Sequence, residues 1–147
     1  MKERVRENTS DRINRTIDQN ILKSIEYYLS QDEAAVSARI RELDKEWDIE
    51  RVLEVNMPVV ALIGISLGVF VSYWWFIFPT LVLLFFLQHA IQGWCPPLPI
   101  FRKLGYRTKT EIERERYALK LIRGDFDGKI DSENVQAPMI YQAVSKN

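Results

Sequence analysis

Hydrophobic positions along this chain follow a helical period at both ends and lose all polar alternation in the middle. Ile13, Ile17, Ile21, Ile25 and Leu29 recur every four residues, with Leu22 and Tyr28 alongside. Arg15, Asp18 and Lys23 occupy the opposite face, as in an amphipathic helix. Ser30 and Glu33 stand in the S-x-x-E spacing of a capping box, which predicts the start of a second helix. Its apolar positions Val36, Ile40, Leu43 and Trp47 continue, drifting in phase, through Ile49, Val52 and Leu53. Arg39, Arg41, Glu42, Asp44, Lys45 and Glu46 make a charged opposite face. The two stripes predict a helical hairpin packed on itself; a coiled-coil partner surface would need sustained heptads. A further reading places Trp47 and its neighbours in a lipid interface.

From Val55 to Phe101, 47 residues, there is no Asp, Glu, Lys or Arg. One membrane-crossing helix needs about 20 apolar residues, so this run holds two. The first is expected from about Pro58 to about Trp74, since proline is tolerated in a first turn. Gly64, Gly68 and Ser72 fall at i, i+4 and i+8, a small-residue stripe that lets another helix approach closely. Two partners fit that stripe equally: the second helix of this chain, or a second copy of it. Pro79 opens the second helix, which runs through a Leu- and Phe-rich stretch to about Gln92 and is short for a span at about 15 residues. Gly93 stops it, and Pro96, Pro97 and Pro99 forbid continuation. Trp74 and Trp75 mark one water–lipid interface and Trp94 the other, in the manner of aromatic belts.

Beyond the prolines, residues 100–105 suggest a segment lying along headgroups, with Arg102 and Lys103 snorkelling. Thr108 and Glu111 form a second capping box, opening a helix to about Arg123 with Ile112, Ala118 or Leu119, and Ile122 on its apolar side; Gly124 ends it. Residues 1–11 read as a frayed end, and 125–147 as a tail. The expected architecture is all-α: an integral membrane two-helix hairpin over 55–101, between a two-helix cytoplasmic arm over 1–54 and a cytoplasmic helix and tail over 102–147.

Charge refines this picture. The whole chain is neutral, with 20 basic and 20 acidic residues, which argues against nucleic-acid binding. Residues 1–54 carry 10 basic and 13 acidic side chains, residues 102–147 carry 10 and 7, so the two arms have opposite net charge. Arg51, Arg102, Lys103, Arg107 and Lys109 flank the apolar run and its central turn has no base, so the positive-inside rule puts both termini in the cytoplasm. No secretory signal precedes the apolar run, because the first 50 residues are polar.

Chemistry-bearing residues are few. The single cysteine, Cys95, and the single histidine, His89, exclude an intramolecular disulfide and a multi-cysteine zinc site. Cys95 is the candidate thiol, yet no neighbouring base lowers its pKa; Arg102 and Lys103 stand seven and eight positions away. His89 and Gln92 make a polar end to the second apolar helix. Residues 125–131 resemble a calcium loop only loosely and lack its bidentate glutamate, and the acidic series from Glu42 to Glu54 reads as a solvated face. No phosphate loop, dinucleotide fingerprint or nucleophile elbow occurs. No catalytic residue, metal site, cofactor or small-molecule substrate is expected.

Asn56, Gly64 and Gly68, then Gly93-Trp94-Cys95-Pro96-Pro97 and Leu104-Gly105-Tyr106-Arg107-Thr108, together resemble the YgaP-like inner-membrane domain family across about residues 56–108, a third of the chain. The resemblance implies a bacterial inner-membrane hairpin of unknown biochemical role, with dimerisation through the hairpin in the family's namesake. Cys95 matches the family cysteine. The rhodanese domain that sometimes accompanies the hairpin is absent, so its sulfurtransferase activity does not carry over. Two functions follow as expectations. One is a non-enzymatic anchor or assembly subunit partnered by lipid and by itself or another membrane protein; the other is a membrane-bound thiol relay using Cys95 with a partner enzyme.

Overall fold

The computed structural model describes residues 3–125 and Pro138. Seven α-helices occur among residues 3–125: α1 (Arg4–Glu7), α2 (Asp11–Tyr28), α3 (Glu33–Leu43), α4 (Ile49–Phe70), α5 (Ile77–Gln92), α6 (Leu98–Lys103) and α7 (Lys109–Arg123), with a 3₁₀ turn over Tyr73–Phe76. No strand occurs among the described residues. They sort into two compact units, and each is discontinuous in sequence. One comprises the described parts of Met1–Asp11 and Trp47–Tyr106, the other those of Arg12–Glu46 and Arg107–Asn147.

In the first unit, α4 and α5 form a hairpin. α4 is 22 residues long, and the helical stretch Tyr73–Gln92 is 20; both are long and apolar enough to cross a membrane. At 1.5 Å per residue α4 measures about 33 Å. Both helices differ from their expected limits. α4 begins at Ile49 rather than Pro58, because the Asp48 carboxylate accepts the Arg51 N–H at 2.7 Å and caps an earlier start. Pro58 then lies inside α4, where it has no N–H to offer the Glu54 carbonyl. α4 ends at Phe70, short of Trp74. α5 starts at Ile77, placing Pro79 within its first turn, and the preceding 3₁₀ turn lengthens the apolar helical stretch beyond the expected 15 residues.

Only one stripe of α4 is buried: Ile49, Leu53, Met57, Ala61, Gly64 and Gly68. Its lower half packs with Val5, Cys95 and Leu98, flanked by Val82, Phe86 and Phe101. Residues 3–9 are therefore ordered rather than frayed, since α1 delivers Val5 to that cluster. Residues 98–103 form a short helix, α6. Arg102 turns inward to 1 % exposure and its Nη1 donates to the Tyr106 carbonyl at 3.1 Å, which excludes a snorkelling pose for it.

In the second unit, α7 supplies the common wall for α2 and α3. Ile17, Ile21 and Ile25 of α2 close on Ala118, with Leu121 and Ile122 beside it. Val36, Ile40 and Leu43 of α3 close on Ile112 and Leu119. The expected stripe of α2 is buried at Ile17, Ile21 and Ile25, whereas Leu29 lies past the end of the helix and is exposed, and the stripe's partner is a helix from beyond the apolar run rather than α3 alone. α3 is capped by Asp32, whose carboxylate accepts the Ala35 N–H at 2.9 Å. The anticipated Ser30–Glu33 box does not form; the Ser30 hydroxyl donates to the Tyr27 carbonyl. α3 also ends at Leu43 instead of running on to Leu53, so the second expected helix is two helices divided at residues 44–48. Thr108 and Glu111 do make a reciprocal capping box for α7, and Gly124, left-handed at φ 86°, ends it as expected. The turn and tail expected beyond Asp125 lie outside the described residues.

Leu119→Ala would open a cavity in a fully buried contact and is expected to lower the unfolding free energy by about 2–4 kcal/mol. Exposed Gln19→Ala is expected to stay within about 0.5 kcal/mol of the parent. Urea titration of the purified chain followed by far-UV circular dichroism makes the comparison, and equal midpoints would show that α7 is not the wall of this unit.

Candidate functional site

The last four carbonyls of a helix have no partner within it, and in α5 these belong to His89, Ala90, Ile91 and Gln92. All four find donors. The Gly93 N–H reaches the His89 carbonyl at 2.7 Å. The Arg4 guanidinium donates through Nη1 to Ala90 at 2.8 Å and to Ile91 at 3.3 Å. Asn8 Nδ2 donates to the Gln92 carbonyl at 3.0 Å and to the Arg4 carbonyl at 2.9 Å. Arg4 also sets a positive charge at the negative end of the α5 dipole. Gly93 is required twice: its φ is 75°, and a Cβ there would lie 2.5 Å from Cβ of Arg4.

Cys95 sits just past this end, 0 % exposed, in the cluster of Val5, Ile49, Leu53, Met57 and Leu98. Burial pushes its thiol above the ordinary value, against a smaller opposing effect of the Leu98 N–H, so the sulfur stays protonated at neutral pH. The Gln92 side chain is exposed, and His89 is half-buried with its Nδ1 lacking a hydrogen-bond partner among the described residues. Cys95, His89 and Gln92 thus share one end of the hairpin, with Trp94 beside them at 36 % exposure.

At the other end, Trp74 and Trp75 project from the 3₁₀ turn at 64 % and 43 % exposure. The glycine stripe is occupied within the chain. A Cβ at Gly64 would come within 2.7 Å of Pro79 and 2.9 Å of Phe78, and one at Gly68 within 2.9 Å of the Phe76 ring. Ser72 does not extend that stripe. It lies beyond the end of α4, with extended backbone, and leads into the 3₁₀ turn.

The most elaborate polar arrangement was not among the expected sites. Glu115, 1 % exposed, stands in the second unit between three donors. Its Oε1 accepts from the Ser24 hydroxyl at 2.6 Å and from Arg39 Nε at 3.0 Å. Its Oε2 accepts from Arg107 Nη1. Arg107 turns its remaining edge to Glu46, donating from Nε at 2.7 Å, in the two-pronged geometry that guanidinium and carboxylate share. Arg39 also reaches Glu42 at 3.0 Å, and Arg116 meets Asp44 at 3.0 Å. The acidic series is therefore not simply a solvated face.

Burial opposes the charge on Glu115, but Arg107, the Ser24 hydroxyl and Arg39 outweigh it and hold the carboxyl below its ordinary value. Burial likewise opposes the charge on Arg107, and Glu46 and Glu115 keep it firmly protonated. One signal in the sequence could have exposed this cluster. Ile112, Glu115, Leu119 and Ile122 are spaced by three, four and three, so Glu115 occupies the apolar stripe of its own helix. For Arg4 and Asn8 no such signal exists, because their partners are backbone carbonyls.

These arrangements bind and position chain segments; neither pairs a nucleophile with a base. Among the described residues no group of three His, Cys, Asp or Glu side chains is placed to hold a metal ion. The chain matches no family model, and no curated protein or solved structure matches it.

Glu115→Gln, which leaves Arg39 and Arg107 short of a buried counter-charge, is expected to cost about 3 kcal/mol at pH 7. The parent should also lose stability in acid. Because the folded carboxyl titrates below its unfolded value, its stabilisation is complete above the ordinary carboxylate range and disappears as pH falls towards the folded value. Urea midpoints measured from pH 7 down to pH 3 should converge for the two proteins, and parallel profiles would exclude Glu115 as the source of the acid sensitivity.

Proposed function

We propose that this chain is a small bacterial inner-membrane protein in which the α4–α5 hairpin spans the bilayer and holds a cytoplasmic helical unit, α2, α3 and α7, as a non-enzymatic anchor or assembly subunit. The carrying observation is the outward face of the hairpin. Leu62, Ile63, Val69, Phe70, Leu84, Leu87 and Ile91 are 55–85 % exposed, and 28 % and 11 % of the two apolar windows are buried. A core helix of a water-soluble domain would be mostly buried. Transferring a fully exposed side chain of this kind to an apolar phase gains about 1.5–3 kcal/mol, so these seven favour a bilayer by something on the order of 10 kcal/mol. Every backbone group inside the bilayer must also be satisfied internally, which a helical hairpin achieves.

Orientation follows from charge. Arg51, Arg102, Lys103, Arg107 and Lys109 lie towards the ends of the apolar run, residues 71–78 contain no charged side chain, and both arms are accordingly cytoplasmic. Aromatic Trp74 and Trp75 then belong to the outer interface, Trp94 to the inner one. The resemblance of residues 56–108 to the YgaP-like hairpin agrees with this reading, and assembly proceeds through the hairpin with a second copy or another membrane protein. A thiol relay has less support, because Cys95 is enclosed by apolar side chains and its thiol is held protonated.

The topology is checked in a Cys95→Ser background by labelling single introduced cysteines with a membrane-impermeant maleimide. Tyr73→Cys, in the exposed turn, should label in intact spheroplasts, and Lys109→Cys only after permeabilisation. Protection of both until lysis would replace the spanning hairpin with a re-entrant one, and outside labelling of Lys109→Cys would reverse the orientation.

A further inference from the structure

We propose that the outward face of α4 is a site for one phospholipid with a primary-amine headgroup, its phosphate held by Arg51, its ammonium by Glu54 and one acyl chain by the apolar groove beyond them. Such a site requires the hairpin to span the bilayer, the reading on which this inference rests. Arg51, Val55, Val59, Leu62, Ser66 and Phe70 are spaced by four, four, three, four and four, which puts them on one face of α4. All six are exposed. Val59, Leu62, Ile63, Ser66, Leu67 and Phe70 line an open groove of about 400 Å³.

At the start of that face the polar groups match a zwitterion. The Arg51 guanidinium carbon lies 4.5 Å from the centre of the Trp47 ring, which fixes the cation beside an indole suited to the level of the headgroups. Arg51 makes no ion pair among the described residues, and its fork of N–H donors fits a phosphate. Glu54, three residues on and exposed, likewise makes no ion pair among the described residues. Pro58 brings no N–H to the Glu54 carbonyl, so this residue offers both a carboxylate and a backbone acceptor to the N–H groups of an ammonium. Asp48 is committed elsewhere, accepting the Arg51 backbone N–H at 2.7 Å. Glu50 and Glu54, flanking Arg51, disfavour a headgroup of net negative charge.

The groove suits an acyl chain better than another helix. Close helix contacts in lipid need small residues, and Gly64 and Gly68 already face Pro79, Phe78 and Phe76 of the same chain. The outward groove carries branched and aromatic side chains instead, and its one hydroxyl, that of Ser66, donates to the Leu62 carbonyl at 2.9 Å. From Val55 to Ser66 α4 rises about 16 Å. That is close to half of a hydrocarbon core about 30 Å thick. A chain whose headgroup sits at Arg51 therefore reaches the groove within its own leaflet.

Native mass spectrometry of the full chain in mild detergent, titrated with single lipids, makes the test. Dioleoyl phosphatidylethanolamine should bind as one molecule per chain and about tenfold more tightly than dioleoyl phosphatidylcholine, whose quaternary ammonium has no N–H, since a charge-assisted hydrogen bond is worth roughly that factor. Dioleoyl phosphatidylglycerol, which has no ammonium, should bind as weakly as phosphatidylcholine. Glu54→Ala should shrink the preference to about threefold or less, and Arg51→Gln should weaken all three lipids about tenfold, both with unchanged far-UV circular dichroism. Equal binding of the three lipids by the parent, or a preference that survives both substitutions, would overturn the site. Dimers that take up no lipid would also overturn it and give the face to a second copy. A chain that stays monomeric in buffer without detergent would refute the spanning hairpin itself, and the site with it.

Discussion

The last carbonyls of a helix have no donors within it, and the way α5 supplies them arranges much else in its unit. Its exit carries Gly93, Arg4 and Asn8 as donors, and two of the three come from the opposite end of the sequence. That demand brings the start of the chain beside residues 90–92. The Val5 side chain follows, sealing Ile49, Leu53, Met57, Cys95 and Leu98 into one cluster. Gly93 makes the approach possible because a side chain there would occupy the position of Arg4.

The second unit solves a different problem with related means. Its helices come from both sides of the apolar run, and apolar stripes alone would allow them to slide along one another. Glu115 removes that freedom. A carboxylate buried at 1 % exposure is tolerable only with its donors in place, so Ser24 of α2, Arg39 of α3 and Arg107 before α7 must converge on one point. Glu46 then balances the second charge that Arg107 would otherwise leave uncompensated. Such a cluster contributes register more than net stability, since desolvation offsets much of its attraction.

Both units are discontinuous, and the crossing points fall near Asp11, Glu46 and Tyr106. A chain built this way couples its two units covalently at three places. The hairpin and the helical unit cannot be separated by cutting the chain at one linker.

Features that rest on local chemistry were already legible in the order of the amino acids. A run without charge implies two apolar helices, the four-residue stripe of α2 names its buried face, and glycines 93 and 124 end helices because left-handed backbone suits them. The Thr108–Glu111 box was legible for the same reason, since both partners lie within one turn. Whatever rests on distant partners was settled by folding. Packing filled the glycine stripe with Phe76, Phe78 and Pro79 and buried Arg102. It also ordered residues 3–9 and gathered Ser24, Arg39 and Glu46 around Arg107 and Glu115. These outcomes were hidden because a pattern of apolar and polar positions records which face is buried, not which donor, 84 or 91 residues away, will satisfy it.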